Sequence, residues 1–226
     1  MAGPAAITRI SSSATPIISQ TSESRRWKLN DLKANKDGYR HKMYWVTGDV
    51  YLGEWKLNKR DGVGIHTYKN GSRYEGEFKK GKREGHGTLF VAHGNKYRVV
   101  YKGYWSAGAW NGLGILFGKF GETYEGQFQD GLRHGYGRQT YWCLETKNYH
   151  IYVGDWQNDK HEGLGTLTMV NGDTYIGSFS KNLKEGKGCF LFADKKSKYE
   201  GTWKADVPIC GAYVKLDDND LYCDAT

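Results

Sequence analysis

The 226-residue chain carries 17 Tyr, 8 Trp and 8 Phe beside 31 Gly, with 26% of its residues charged and a mean hydropathy of -0.74. That mixture excludes a thick aliphatic core and points to an extended sheet in which rings pack on glycines. Thirty-three Lys+Arg against 25 Asp+Glu leave a charge of +8, which suits an acidic partner surface; both signs are interleaved, so no dense basic run reads as a nucleic-acid patch.

Residues 1–24 are Ser/Thr-rich and read as a flexible N-terminal arm that can order on a partner. They hold no apolar core of signal-peptide length, and no stretch of the chain reaches membrane-spanning length. Residues 25–50 read as an N-terminal cap: Arg25 to Lys36 suits a short helix or turn, and Gly38-Tyr39-Arg40-His41 resembles the second half of the repeat that follows.

From residue 51 the chain repeats itself. Copies begin at Tyr51 (Gly53, Trp55), Tyr74 (Gly76, Phe78), Tyr101 (Gly103, Trp105), Tyr124 (Gly126, Phe128), Tyr152 (Gly154, Trp156) and Tyr175 (Gly177, Phe179). Each has Tyr at offset 0, Gly at +2, Trp or Phe at +4 and further glycines at +11 and +13. A seventh copy, Tyr199, Gly201 and Trp203, is degenerate, its glycine pair reduced to Cys210-Gly211. The unit is about 23 residues, lengthened at 93–98 and 143–149, where protruding loops are expected along one edge. The repeats end near 215, and 216–226 form an acidic tail with Asp217, Asp218, Asp220 and Asp224. Head-to-tail contact between copies of the chain is one use for the two oppositely charged ends; two solvated ends are the plainer one.

Offsets 0, +2 and +4 share one face of a strand. Glycine between two rings leaves bare backbone that a neighbouring strand's ring can cover. The polar stretch between +5 and +10, such as Lys79-Lys80-Gly81-Lys82-Arg83-Glu84, suits a hairpin turn, and a second turn falls at Asn70-Gly71, Phe120-Gly121 and Asn171-Gly172. The expected fold is all-β: an elongated, single-layer, twisted antiparallel sheet of tandem β-hairpins.

Over roughly residues 38 to 215 the pattern resembles the MORN (membrane occupation and recognition nexus) repeat family, through Tyr-Glu-Gly-Glu-Phe from Tyr74, Arg-His-Gly-Tyr-Gly from Arg133 and Asn-Gly-Asp-Thr-Tyr from Asn171. The resemblance implies a single-layer sheet and scaffold roles in the axoneme, the sperm head and protein tethering. The expected partners are therefore axonemal or cytoskeletal proteins, tubulin or radial-spoke components among them, with a homodimer also open.

An enzyme needs a pocket with convergent polar groups, which a single-layer sheet does not offer. Glu54, Glu77 and Asp155 at +3 recur because the repeat does, and read as solvent-face residues pairing with Lys or Arg. His134 reads as a turn-packing residue. No helix follows the Gly-x-Gly pairs, so a nucleotide turn is excluded. Cys143, Cys189, Cys210 and Cys223 share no short paired spacing and read as reduced thiols. Neither a cofactor nor a metal is expected. Trp105, Tyr124 and Trp156 are the expected partner-binding rings on an exposed aromatic face. Lys79, Lys80, Lys82 and Arg83 are the expected contact to an acidic lipid surface. The sequence reading is a non-enzymatic scaffold of the cilium or flagellum, with a membrane-bound adaptor as the second reading.

Overall fold

The computed structural model describes residues 36–216. The arm, most of the segment expected as a helix or turn at 25–36, and the acidic tail lie outside the described residues. Fifteen strands follow in order: β1 (Gly38–Tyr44), β2 (Val50–Lys56), β3 (Lys59–Thr67), β4 (Arg73–Lys79), β5 (Lys82–His93), β6 (Lys96–Ser106), β7 (Ala109–Phe117) and β8 (Thr123–Gln129). The second half is β9 (Leu132–Cys143), β10 (Asn148–Gln157), β11 (Lys160–Thr168), β12 (Thr174–Ser180), β13 (Leu183–Phe192), β14 (Ser197–Lys204) and β15 (Val207–Lys215). Every strand pairs antiparallel with its chain neighbours, and spatial order equals chain order. The sheet is a single open layer, as the repeat implied.

Each unit opens with a strand carrying Tyr, Gly and the +4 ring, then a two-residue turn. The turn residues Leu57-Asn58, Lys80-Gly81, Ala107-Gly108, Asp130-Gly131, Asn158-Asp159, Lys181-Asn182 and Ala205-Asp206 all have positive φ. That is the backbone of a type I′ hairpin, whose twist matches that of the flanking strands. Beyond the turn the register slips between +2 and +4, for example between Gly53↔Gly64 and Trp55↔Arg60, so each return strand carries a bulge. Glycine at +11 sits in the bulge with positive φ, as at Gly62 and Gly85. A Cβ on Gly62 would run into the Glu54 carboxylate lying over it.

Successive I′ turns are hooked together along one edge. The second turn residue's N–H donates to the +9 carbonyl of the preceding unit: Gly81 to Arg60 (2.8 Å), Gly108 to Arg83 (2.9 Å), Asp159 to Arg133 (3.0 Å). The first turn residue's N–H donates to the preceding unit's +10 carboxylate: Lys80 to Asp61 (3.0 Å), Ala107 to Glu84 (2.9 Å), Lys181 to Glu162 (3.0 Å). His134 holds the +10 place in the fourth unit, and its Nδ1 is buried without a hydrogen-bond partner among the described residues.

The opposite edge alternates short turns with long hairpins. The short ones close on Gly71, Gly121 and Gly172, all with positive φ, at the second turn signal. The two insertions are only partly loop, with turns at 94–95 and 144–147. They extend β5 and β6 to a last pair at His93↔Lys96 and β9 and β10 to Cys143↔Asn148, because alternating residues such as Tyr97, Val99, Tyr149 and Ile151 continue the strands. What protrudes is paired hairpin closed by a turn, of two residues in the first and four in the second.

Candidate interaction surfaces

The sheet has a ring face and an open face. On the ring face each offset-0 Tyr lies over the Gly at +2 of its own strand and the Gly at +13 of the return strand, so a Cβ on Gly64, Gly87 or Gly114 would overlap the ring. The +13 glycine is thus covered by a ring from the neighbouring strand, as expected, and the +2 glycine by the Tyr of its own strand. Its hydroxyl donates to the +3 carbonyl: Tyr51 to Glu54 (3.0 Å), Tyr101 to Tyr104 (2.9 Å), Tyr124 to Gln127 (2.8 Å), Tyr152 to Asp155 (2.9 Å). Burial pushes the Tyr51 and Tyr101 phenols up to about 12, so they remain neutral donors.

Each Tyr ring is wedged edge-to-face between its own +4 ring and that of the next unit. Tyr101 lies 5.2 Å from Trp105 and 5.2 Å from Phe128; Tyr124 lies 5.0 Å from Phe128 and 5.2 Å from Trp156. The contacts run unbroken from Tyr51 to Trp203, a geometry that aromatic quadrupoles favour. The +9 residue covers the ladder. Arg83 sits 4.0 Å over Trp105 and Arg133 4.4 Å over Trp156, while Trp110 stacks on Tyr101 at 4.8 Å and His161 on Tyr152 at 3.6 Å.

These contacts overturn the expectation of an exposed aromatic face. Trp105, Tyr124 and Trp156 are 1%, 1% and 3% exposed, and the Nε1 of both tryptophans donates to the glycine carbonyls of Gly87 and Gly137. They form the core of the sheet, and their side chains are not open surface. The other repeat-defining rings, Tyr51, Trp55, Tyr74, Phe78, Tyr101, Phe128, Tyr152, Tyr175, Phe179 and Trp203, are buried with them. Tyr199, in the degenerate unit, is half-buried.

The charged candidates divide. Lys79, Lys80 and Lys82 are exposed, and Lys79 faces Lys82 across the hairpin. Arg83 is not free: its guanidinium lies on Trp105 and donates to the Gly108 carbonyl at 2.8 Å. Among the described residues the +3 side chains do not form ion pairs with Lys or Arg either. Glu77 accepts from the His86 N–H (2.9 Å), Gln127 from Tyr136 (3.1 Å) and Asp155 from Leu164 (3.1 Å). They satisfy the N–H groups that the bulge removes from the ladder. Cys189 is disulfide-bonded, contrary to the reduced-thiol expectation, whereas Cys143 and Cys210 are free; wide spacing in the sequence conceals which thiols the fold brings together.

Exposed apolar groups missed by the repeat pattern gather at the long-hairpin edge. Tyr97, Phe120 and Leu144 are 48%, 59% and 73% exposed. The hairpins on either side of the short Gly118–Glu122 turn are tied to it: Arg98 donates to the Gly118 carbonyl (3.0 Å) and Tyr149 Oη to the Phe120 carbonyl (2.9 Å). Beside the turn lies a recess of about 580 Å³ walled by Trp110, Phe120, Tyr141 and Trp142. Phe120 stood in the sequence as part of a turn signal, and its exposure is what marks it. Among the described residues no cluster of three His, Cys, Asp or Glu could hold a metal ion.

Comparison with known proteins matches the MORN repeat to residues 51–73, 74–90, 101–119, 124–141, 152–174 and 175–197. MORN repeat-containing protein 3 of Xenopus laevis is 51% identical over 43 residues, covering 19% of this chain and 18% of that protein. The Bos taurus protein of the same name is 53% identical over 38 residues, 17% of this chain and 16% of its own length. The inactive protein tyrosine kinase pTKL of Plasmodium berghei is 34% identical over 85 residues, 34% of this chain and 6% of that protein. The matches thus span less than a fifth of each relative's length.

Proposed function

Because the chain belongs to the MORN-repeat family, we propose that it is a non-enzymatic scaffold of the cilium or flagellum, attached to the axonemal doublet or radial spokes and holding partner proteins there. The observation that carries this reading is how the polar and aromatic groups are used. The buried rings stack on one another and the hydrogen-bonding carboxylates cap turns and bulges, which makes a stiff strip in which these groups, among the described residues, are spent on structure. The recognition surface is the long-hairpin edge around Phe120, where exposed apolar side chains stand on braced backbone. The axonemal setting is what the resemblance to the MORN repeat family implies, and the proposed partner is a protein of that cytoskeleton.

The test is to express the tagged chain in a flagellated cell and strip the membrane with mild detergent. Retention on the axoneme until high salt, and loss of retention in Phe120→Ser with Leu144→Ser, is the expected result. Release with the membrane would favour the second reading, an adaptor held to acidic phospholipid. That reading has its own observation: Lys56 faces Lys59 and Lys79 faces Lys82 across adjacent turns, like-charge pairs that cost stability unless an anion offsets them.

A further inference from the structure

The open face carries a row of exposed apolar side chains, nearly one per hairpin. Val63 on β3, Leu113 on β7, Tyr136 on β9 and Leu164 on β11 are 60%, 69%, 60% and 58% exposed. His86 on β5 and Tyr104 on β6, 5.5 Å apart edge-to-face, complete the row. The registers Val63↔Glu77, His86↔Tyr104, Leu113↔Gln127, Tyr136↔Asp155 and Leu164↔Ser178 put all of them at one level. Two residues along each strand a second row includes Lys102 on β6, Ile115 on β7 and Glu125 on β8. With strands about 4.8 Å apart, the face from β3 to β11 is about 40 Å long and about 15 Å wide, close to the area each partner gives to a standard interface. Exposed apolar side chains repeated on alternate strands of one face, with polar side chains between them, have the mixed character of a contact surface.

This face is symmetric in kind about β7. Val63 lies four strands before it and Leu164 four after; His86 lies two before and Tyr136 two after; Lys102 lies one before and Glu125 one after. A twofold axis along β7 between two facing copies sets Leu113 on its own counterpart, Val63 on Leu164 of the second copy, and Lys102 on Glu125 of the second copy. Neither Lys102 nor Glu125 has an ion-pair partner among the described residues, although Glu125 faces Arg138 across the β8–β9 pair. We infer that the open face of β3–β11 is an isologous interface at which a second copy of this chain packs face to face about β7. Facing sheets cross at about 30°, so the match is tightest near the axis, and Leu113, Lys102 and Glu125 fix the register.

The test is the solution mass of the full chain by sedimentation velocity over a concentration series. Wild type is expected to reach a dimer. Lys102→Glu alone and Glu125→Lys alone each place like charges together at both ends of the pair, and each is expected to be monomeric. An equimolar mixture of the two variants restores opposite charges at every contact, and the dimer is expected to return as a heterodimer. Leu113→Asp is expected to be monomeric in the mixture as well as alone. Because these side chains are exposed, all variants should keep the wild-type circular dichroism and, at concentrations low enough to dissociate the dimer, the wild-type melting temperature. A wild type that stays monomeric at every concentration would overturn the proposal, as would a dimer that survives Leu113→Asp or a mixture that stays monomeric.

Discussion

At Gly114 the backbone lies directly beneath the Tyr101 ring, and any side chain there displaces the ring from its place between Trp105 and Phe128. Gly114→Ala should therefore lower stability by about 3 kcal/mol, as overpacking does. Gly81→Ala meets nothing within 4 Å and should cost about 1 kcal/mol through its positive φ alone. Urea midpoints of the two variants would separate crowding from backbone strain. The buried histidines set an acid limit. Burial, and then the Arg60 and Arg133 cations, holds the His66 and His161 imidazoles down to about 4. Between that value and the free-histidine value of about 6.5 the unfolded chain binds the extra protons. Their contribution is thus complete above about 6.5 and is lost as pH falls toward 4, on the order of 3 kcal/mol for each. Replacing both with Gln should flatten the fall in melting temperature between neutral pH and pH 4. Strand parity in the sequence identified these rows of rings and glycines. It did not show that the row is closed: parity assigns a face, whereas exposure depends on how Tyr124 wedges between Phe128 and Trp156 of the next unit.

The hairpin is the element in which sequence and geometry agree least at one site. Type I′ turns favour Asn-Gly, and all seven of these turns have Gly, Asn or Asp in the second place, yet the first turn begins with Leu57 at φ 49, 73% exposed. A leucine in the left-handed region is unfavourable. Leu57→Asn should raise the melting temperature, worth roughly 0.5–1 kcal/mol, unless Leu57 is held by a partner; thermal denaturation of the isolated chain measures it. The turn positions themselves were legible, since polar residues with glycine recur between +5 and +10. The bulge was not. Nothing in the string of letters distinguishes a carboxylate that pairs with a lysine from one that caps the N–H groups of His86 or Leu164, because both stand on the same exposed strand position. The inserted residues are loop only at 94–95 and 144–147, for a related reason: Tyr97 to Tyr101 alternates well enough to lengthen a strand, and sequence length alone does not say whether extra residues are paired.

For the whole molecule, each unit touches only its neighbours, so stability is a sum of units and junctions rather than one global quantity. Hydrogen exchange should be slowest in β6 to β9 and progressively faster toward β1 and β15, which among the described residues are paired on one side only. Trp105→Ala removes a ring shared by two units, together with the Arg83 platform. It should cost about 3–5 kcal/mol and split a single melting transition into two, visible by calorimetry. The hooked turns along one edge carry a mechanical consequence. Since spatial order equals chain order, tension applied between the first and last strands pulls perpendicular to them and opens hydrogen-bonded pairs in sequence from an end. Each hairpin released lengthens the chain by about 23 residues of extended backbone, roughly 70 Å after subtracting the width of the two strands. Stretched in this way, the strip yields one unit at a time and re-forms from whichever units remain, so it behaves as a strain absorber between the structures it joins.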